Sequence, residues 1–221
     1  MNNEVKSIVE KIQSEHKNID TILVFGSATT SEWTTQSDID VFLIDDSFSD
    51  SRSEETIDGV LVEYQEGNFD TVKKSIERER GNLLHRNVST MIATAIIVSN
   101  KSPEKLNELV NLAKYVLASK SNYDDEDIKM WKYSIEDYLG KAKKDAMRED
   151  EVAFYFDAHY VLQNALEMSL AEHGTYMPQP KHLAKRLSET DPELLGVWLD
   201  YIKASSLAEK FEILSRLDSR A

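Results

Sequence analysis

Apolar residues recur at helical spacing in Val5, Ile8, Val9 and Ile12, so the chain opens on an amphipathic helix of three or four turns. Three short apolar runs follow, near 21–25, 39–44 and 59–65, each rich in Val, Ile, Leu or Phe and short enough for strands. The segment 45–58 is polar and reads as a connecting loop. Residues 70–80 read as a helix closed by Gly81, a natural residue for the position after a helix. The apolar stretch 83–94 reads as a further helix, and Ala95-Ile96-Ile97-Val98 as a buried strand. After Ser102-Pro103, a favourable cap and first turn, every segment carries helical periodicity. Leu106, Leu109, Val110, Ala113, Val116 and Leu117 line one face. Ile128, Trp131, Ile135, Tyr138, Leu139, Ala142 and Ala146 line the next, capped by Asp124-Asp125. Residues 152–170 are apolar on most sides, which predicts the central helix of a bundle. Asp191-Pro192 starts another helix, and Ser206 to Glu209 has the form of a capping box. The expected fold is a mixed-sheet α/β unit over 1–102, followed by an all-α helical bundle over 103–221.

Composition narrows the class of partner. The chain has 221 residues, 41% hydrophobic and 30% charged, as expected of a globular protein. Its net charge of −14 argues against an extended nucleic-acid surface but leaves room for a local nucleotide pocket. There is no cysteine, which removes thiol nucleophiles and thiolate metal sites. No signal-peptide pattern is seen, and the longest apolar stretch, 91–98, is too short to cross a membrane, so no membrane partner and a cytoplasmic location are expected.

The chemistry concentrates between the first two strands. Phe25-Gly26-Ser27 ends one strand, and after ten residues Asp38-Ile39-Asp40-Val41 begins the next. Side chains alternate along a strand, so Asp38 and Asp40 share a face about 6–7 Å apart. Two carboxylates so placed repel each other unless a cation lies between them, and a hard divalent ion takes carboxylate oxygens. Gly26 lets a bulky ligand approach the backbone, and Ser27 with the turn N–H groups can cradle phosphate oxygens. A lone Gly-Ser is usually just a turn, and a lone Asp-x-Asp is usually surface charge. The two in this order, between apolar strands, are far more specific.

With these residues the chain resembles the polymerase-beta-like nucleotidyltransferase superfamily, whose pattern is an apolar residue, Gly-Ser, about ten residues, then Asp-apolar-Asp-apolar. The resemblance implies the mixed-sheet nucleotidyltransferase fold, a nucleoside triphosphate as co-substrate, and one or two Mg²⁺ held by Asp38 and Asp40. It also implies a third carboxylate on a later strand. Glu63, the one acid within the apolar run 60–64, takes that place as metal ligand or water activator.

A second motif lies in the helical half. Asp137 and Lys141 are four apart on one helix face, with Tyr138 on the apolar stripe beside them. Gly140 in mid-helix suggests a close approach to the backbone. The ordinary reading is an exposed ion pair. The run Asp137-Tyr138-Leu139-Gly140-Lys141 is similar to the acid-Tyr-x-Gly-Lys run of the kanamycin-nucleotidyltransferase-type branch. By that resemblance Asp137 is the general base on the acceptor hydroxyl and Lys141 contacts the nucleotide phosphates. The sequence departs from the branch in having Asp where Glu is usual. The branch implies a small hydroxylated, aminoglycoside-like acceptor, a role in antibiotic resistance, and a homodimer.

Other residues are weaker candidates. Trp33, in the loop between Ser27 and Asp38, either stacks on a base or covers the loop. Arg52 and Arg86 either reach phosphate or are exposed charges, and Asp157 and His159 read as satisfied polar residues of the central helix. The turn Tyr176-Met177-Pro178-Gln179-Pro180 reads as a rigid link between helices. Arg80 and His85 have the spacing of a HEPN-ribonuclease signature, but they stand outside the helical half, so the match reads as chance. Three functions are compatible with the whole: nucleotidyl transfer to a small molecule, transfer to a protein or RNA as in antitoxin-type relatives, or a non-catalytic nucleotide sensor.

Overall fold

A computed structural model describes residues 1–84 and 86–220. The described residues form two compact units. The first comprises residues 1–80 and 86–119; the second comprises 81–84 and 120–220.

The first unit is a five-stranded mixed sheet with helices on both faces. Its strands are β1 (Thr21–Phe25), β2 (Ile39–Ile44), β3 (Ser51–Ile57), β4 (Val60–Gly67) and β5 (Ile96–Asn100), in spatial order β3-β4-β2-β1-β5. The β2–β4 pair is parallel and the other three pairs are antiparallel. Helix α1 (Asn3–Glu15) covers one face, burying Val5, Ile8, Val9 and Ile12 against Ile22, Val24, Ile39, Val41, Val62 and Tyr64. Helices α2 (Phe69–Arg78), α3 (Asn87–Thr94) and α4 (Pro103–Ala118) cover the other, against Leu23, Phe25, Phe42 and Ile44. Successive residues of β1 and β2 thus feed opposite cores, which is why these runs are apolar throughout instead of alternating.

The sequence reading differs from this unit in three places. Residues 51–57 are a strand within the segment expected to be a loop. All but the last are exposed, because β3 is the sheet edge and contributes little to either core. Helix α3 begins at Asn87, after the expected start at 83, and His85 lies outside the described residues. Helix α4, expected in the helical half, belongs to the sheet unit, where Leu106, Leu109, Ala113 and Val116 bury against the sheet. An apolar stripe states that a helix buries one face, not what covers it.

The second unit is all helical: α5 (Asp125–Arg148), α6 (Glu151–Glu172), α7 (Pro180–Thr190), α8 (Pro192–Lys203) and α9 (Leu207–Leu214). Asp124 caps α5, accepting from the N–H of Glu126 and Asp127 at 2.8 and 3.0 Å. Helix α6 is the centre, with Phe154, Ala158, Val161, Leu162, Ala165 and Leu166 buried among residues of α5, α7, α8 and α9. The proline turn ahead of α7 is structural, Pro180 standing in its first turn and Met177 N–H donating to the Leu83 carbonyl at 2.7 Å.

Candidate active site

The β1–β2–β4 register assembles the carboxylates. Phe25 pairs with Asp40 across β1–β2, and Asp40 pairs with Glu63 across β2–β4. Asp38 precedes β2 by one residue, so the alternation expected from sequence carries it to the side of Asp40. One carboxylate oxygen from each of Asp38, Asp40 and Glu63 lies within 4.8 Å of the other two. Asp38 and Asp40 are half-buried and Glu63 is exposed, so the group faces solvent at the sheet surface. Three hard oxygen donors converging at this spacing fit a divalent cation.

Gly26 is fixed by the same geometry. It directly follows β1 with φ +69, and a Cβ built on it would stand 2.1 Å from Asp40 Oδ2. Any other residue would displace that carboxylate. Ser27 follows, half-buried, in a short 3₁₀ turn, with its carbonyl accepting from Thr30 N–H at 3.0 Å. Trp33 packs on the core beneath α1, its indole N–H buried without a partner among the described residues, so it anchors the loop that leads to Asp38.

Asp137 and Lys141 lie in the second unit, on α5. They form an exposed ion pair at 2.7 Å, and the hydrogen bond that Lys141 donates to Asp137 holds the lysine pKa above its ordinary value. Lys141 also sits 4.4 Å from the centre of the Tyr138 ring, which stacks on Tyr160. The expected close approach at Gly140 is not found among the described residues: a Cβ there would meet nothing within 4 Å. Asp157 is half-buried, its carboxyl raised by burial and by a hydrogen bond with Asp145, and His159 is exposed.

Arg86 is neither a phosphate contact nor an exposed charge. It is buried and donates to the carbonyls of Val116 and Ser119 at 2.7 Å each, closing the C-terminus of α4. Sequence reasoning missed a cleft of about 350 Å³ over Phe42, lined by Arg52, Gln65, Thr71 and Ser75. Gln65 pairs with both Phe42 and Arg52, which places this row two residues along β4 from Glu63. The signal for it was Asp58-Gly59, the strongest short hairpin dipeptide, which implies a strand before β4.

Comparison with known proteins supports the fold. No curated protein matches. A crystal structure of a nucleotidyltransferase-like protein from Exiguobacterium sibiricum 255-15 superposes with a TM-score of 0.52 at 13% identity, covering 97% of this chain and 73% of that one. Residues 6–101 match the family model for polymerase beta, nucleotidyltransferase. That segment spans all five strands and contains Gly26, Ser27, Asp38, Asp40 and Glu63. Neither match separates the kanamycin-type branch from the rest. Residues 6–101 are thus similar to the polymerase-beta-type nucleotidyltransferase domain, and the match supports nucleotidyl transfer as the chemistry of this segment.

Proposed function

We propose that the chain transfers a nucleoside monophosphate from a nucleoside triphosphate to a hydroxyl of a small polar acceptor, with Asp38, Asp40 and Glu63 as the ligands of one or two Mg²⁺. The observation that carries this is the convergence of the three carboxylates at the Gly26-Ser27 turn. Bound there, Mg²⁺ would neutralise charge on the α-phosphoryl group and on the departing pyrophosphate. Asp38, Asp40 and Glu63 fix the position of the reacting phosphoryl group, and Gly26 leaves Asp40 room to point into the site. Ser27 offers a hydroxyl to the phosphate chain. The acceptor oxygen gains the phosphorus, its proton passes to a base, and pyrophosphate leaves. The resemblance names Asp137 as that base and Lys141 as a phosphate contact, and the proposal keeps both roles. Positioning and electrostatics supply most of the rate, as in other phosphoryl transfers.

The acidic balance of the chain suits a neutral or cationic acceptor of the aminoglycoside type. No described helix is long and apolar enough to cross a membrane. The test is pyrophosphate release from each of the four nucleoside triphosphates with Mg²⁺, over a panel of aminoglycosides, lincosamides and polyols. Acceptor-dependent release that Asp40→Asn lowers at least about 100-fold supports the proposal. Release that survives this substitution removes the carboxylates from the chemistry. Nucleotide binding without release, across the panel, moves the reading to a macromolecular acceptor or a sensor. Asp137→Asn tests the base separately: a drop in kcat with unchanged Mg²⁺ affinity is expected, and an unchanged kcat takes the role from it.

A further inference from the structure

A second convergence of ligand atoms lies on the opposite face of the sheet. One ligand atom from each of Glu15, His16 and Glu55 lies within 4.8 Å of the other two. We propose that Glu15, His16 and Glu55 form a Zn²⁺ site that clamps the end of α1 to the edge strand β3. The proposal is independent of the nucleotidyl-transfer reading.

The face follows from register. Glu55 pairs with Val62 and Ser53 with Tyr64, and Val62 and Tyr64 belong to the core under α1. Glu63 is between them in sequence and therefore points the other way, towards Asp40. The two clusters share no residue and no side of the sheet.

The donor set selects the metal. An imidazole nitrogen with two carboxylates is a zinc-type set, whereas Mg²⁺ and Ca²⁺ prefer oxygen alone. Zinc bonds of about 2.0–2.2 Å to nitrogen and oxygen are reached by the three atoms closing in from a separation of up to 4.8 Å. Glu15 and His16 are the last residue and the C-cap of α1, and Glu55 stands on an exposed edge strand, so small side-chain rotations are open to them.

Charge points to a cation in the same place. Glu15 sits at the negative end of the helix dipole, and the last turn of α1 carries no basic residue. Glu55 adds a second negative charge. Among the described residues no lysine or arginine is ion-paired with either glutamate; Lys11, the nearest lysine on α1, pairs instead with Asp58. The outer groups are also in place. The buried Tyr64 donates its hydroxyl to Glu55, and its ring lies 5.4 Å from the His16 ring, so one side chain orients two ligands. An open cleft bounded by Ser53, Glu54 and Glu66 gives access.

The experiment is calorimetric titration of the full chain with ZnCl₂ in excess Mg²⁺, for the parent protein, His16→Ala, Glu55→Gln and Asp40→Asn. One Zn²⁺ should bind the parent and Asp40→Asn alike, and about 100-fold more weakly to either of the other two variants. Cobalt(II) in place of zinc should give a visible spectrum that His16→Ala changes, a readout that loss of packing alone would not produce. Circular dichroism separates lost binding from lost fold, and Glu55→Gln, on the exposed edge, carries the test if His16→Ala unfolds. Zinc binding that is unaltered by both substitutions, that disappears only in Asp40→Asn, or that is absent from the parent overturns the proposal.

Discussion

Gly26 is the residue on which the site geometry turns. Its φ of +69 costs an L-residue about 1–2 kcal/mol, and a Cβ would stand 2.1 Å from Asp40 Oδ2. Gly26→Ala should therefore move the Asp40 carboxylate by the order of an ångström. A displacement of that size can cost about 100-fold in rate, so pyrophosphate release should fall at least that far while the melting temperature falls by only a few degrees. Gly140 behaves oppositely. It lies inside α5 at ordinary helical φ with open space where a Cβ would be. Gly140→Ala should stabilise the chain by about 1 kcal/mol, read as a higher denaturant midpoint. A lower midpoint would show a steric demand that the described neighbours do not make. Both glycines stand out in the sequence, but only Gly26 comes with a reason. Its Asp partner is legible from strand alternation, whereas the surroundings of a mid-helix glycine depend on packing that no local pattern encodes. Arg86 is illegible for the same reason: a charge in sequence looks exposed until a helix end is found for it.

The strands that carry the carboxylates were legible because burial on both faces makes them continuously apolar. Strand β3 was not, since Ser51 to Ile57 has no apolar alternation to betray it. What encodes it is the turn. Asp58 and Gly59 have φ of +52 and +86, the paired positive values of a type I′ hairpin. A Cβ on Gly59 would meet nothing within 4 Å, so Gly59→Ala encounters only backbone strain. It should cost about 1 kcal/mol in urea unfolding. Because β3 holds both Arg52 and Glu55, the same substitution should also weaken zinc binding at the Glu15–His16–Glu55 cluster. A loss of several kcal/mol would mean that the hairpin carries more of the sheet than an exposed edge should. Helix α4 teaches a related point. Its stripe names the buried face correctly and leaves the covering surface open, because amphipathicity specifies a face and topology supplies its partner.

Across the whole chain 40 acids face 26 basic residues, so lowering the pH first relieves repulsion. One buried group works against that trend. Asp191 caps α8 by accepting from Leu194 N–H at 3.0 Å, accepts from Ser169 Oγ at 2.6 Å, and takes a two-pronged contact from Arg220 at 2.6 and 2.9 Å. Burial pushes its carboxyl up, but the bonds from Arg220, Ser169 and Leu194 outweigh this and hold it well below the usual carboxylate range. A depressed folded-state pKa stabilises the protein above the unfolded value, near 3.9, and that contribution disappears as the pH falls towards the folded value. Asp191→Asn should therefore destabilise the second unit at pH 7 by about 3 kcal/mol, the scale of breaking a buried pair, since Arg220 would keep only the exposed Glu193 at 3.5 Å. The gap between variant and parent, measured by urea unfolding at a series of pH values, should stay constant from about pH 7 to 5 and narrow below about 4. A gap independent of pH down to acid unfolding would mean that the charge of Asp191 does not carry the energy.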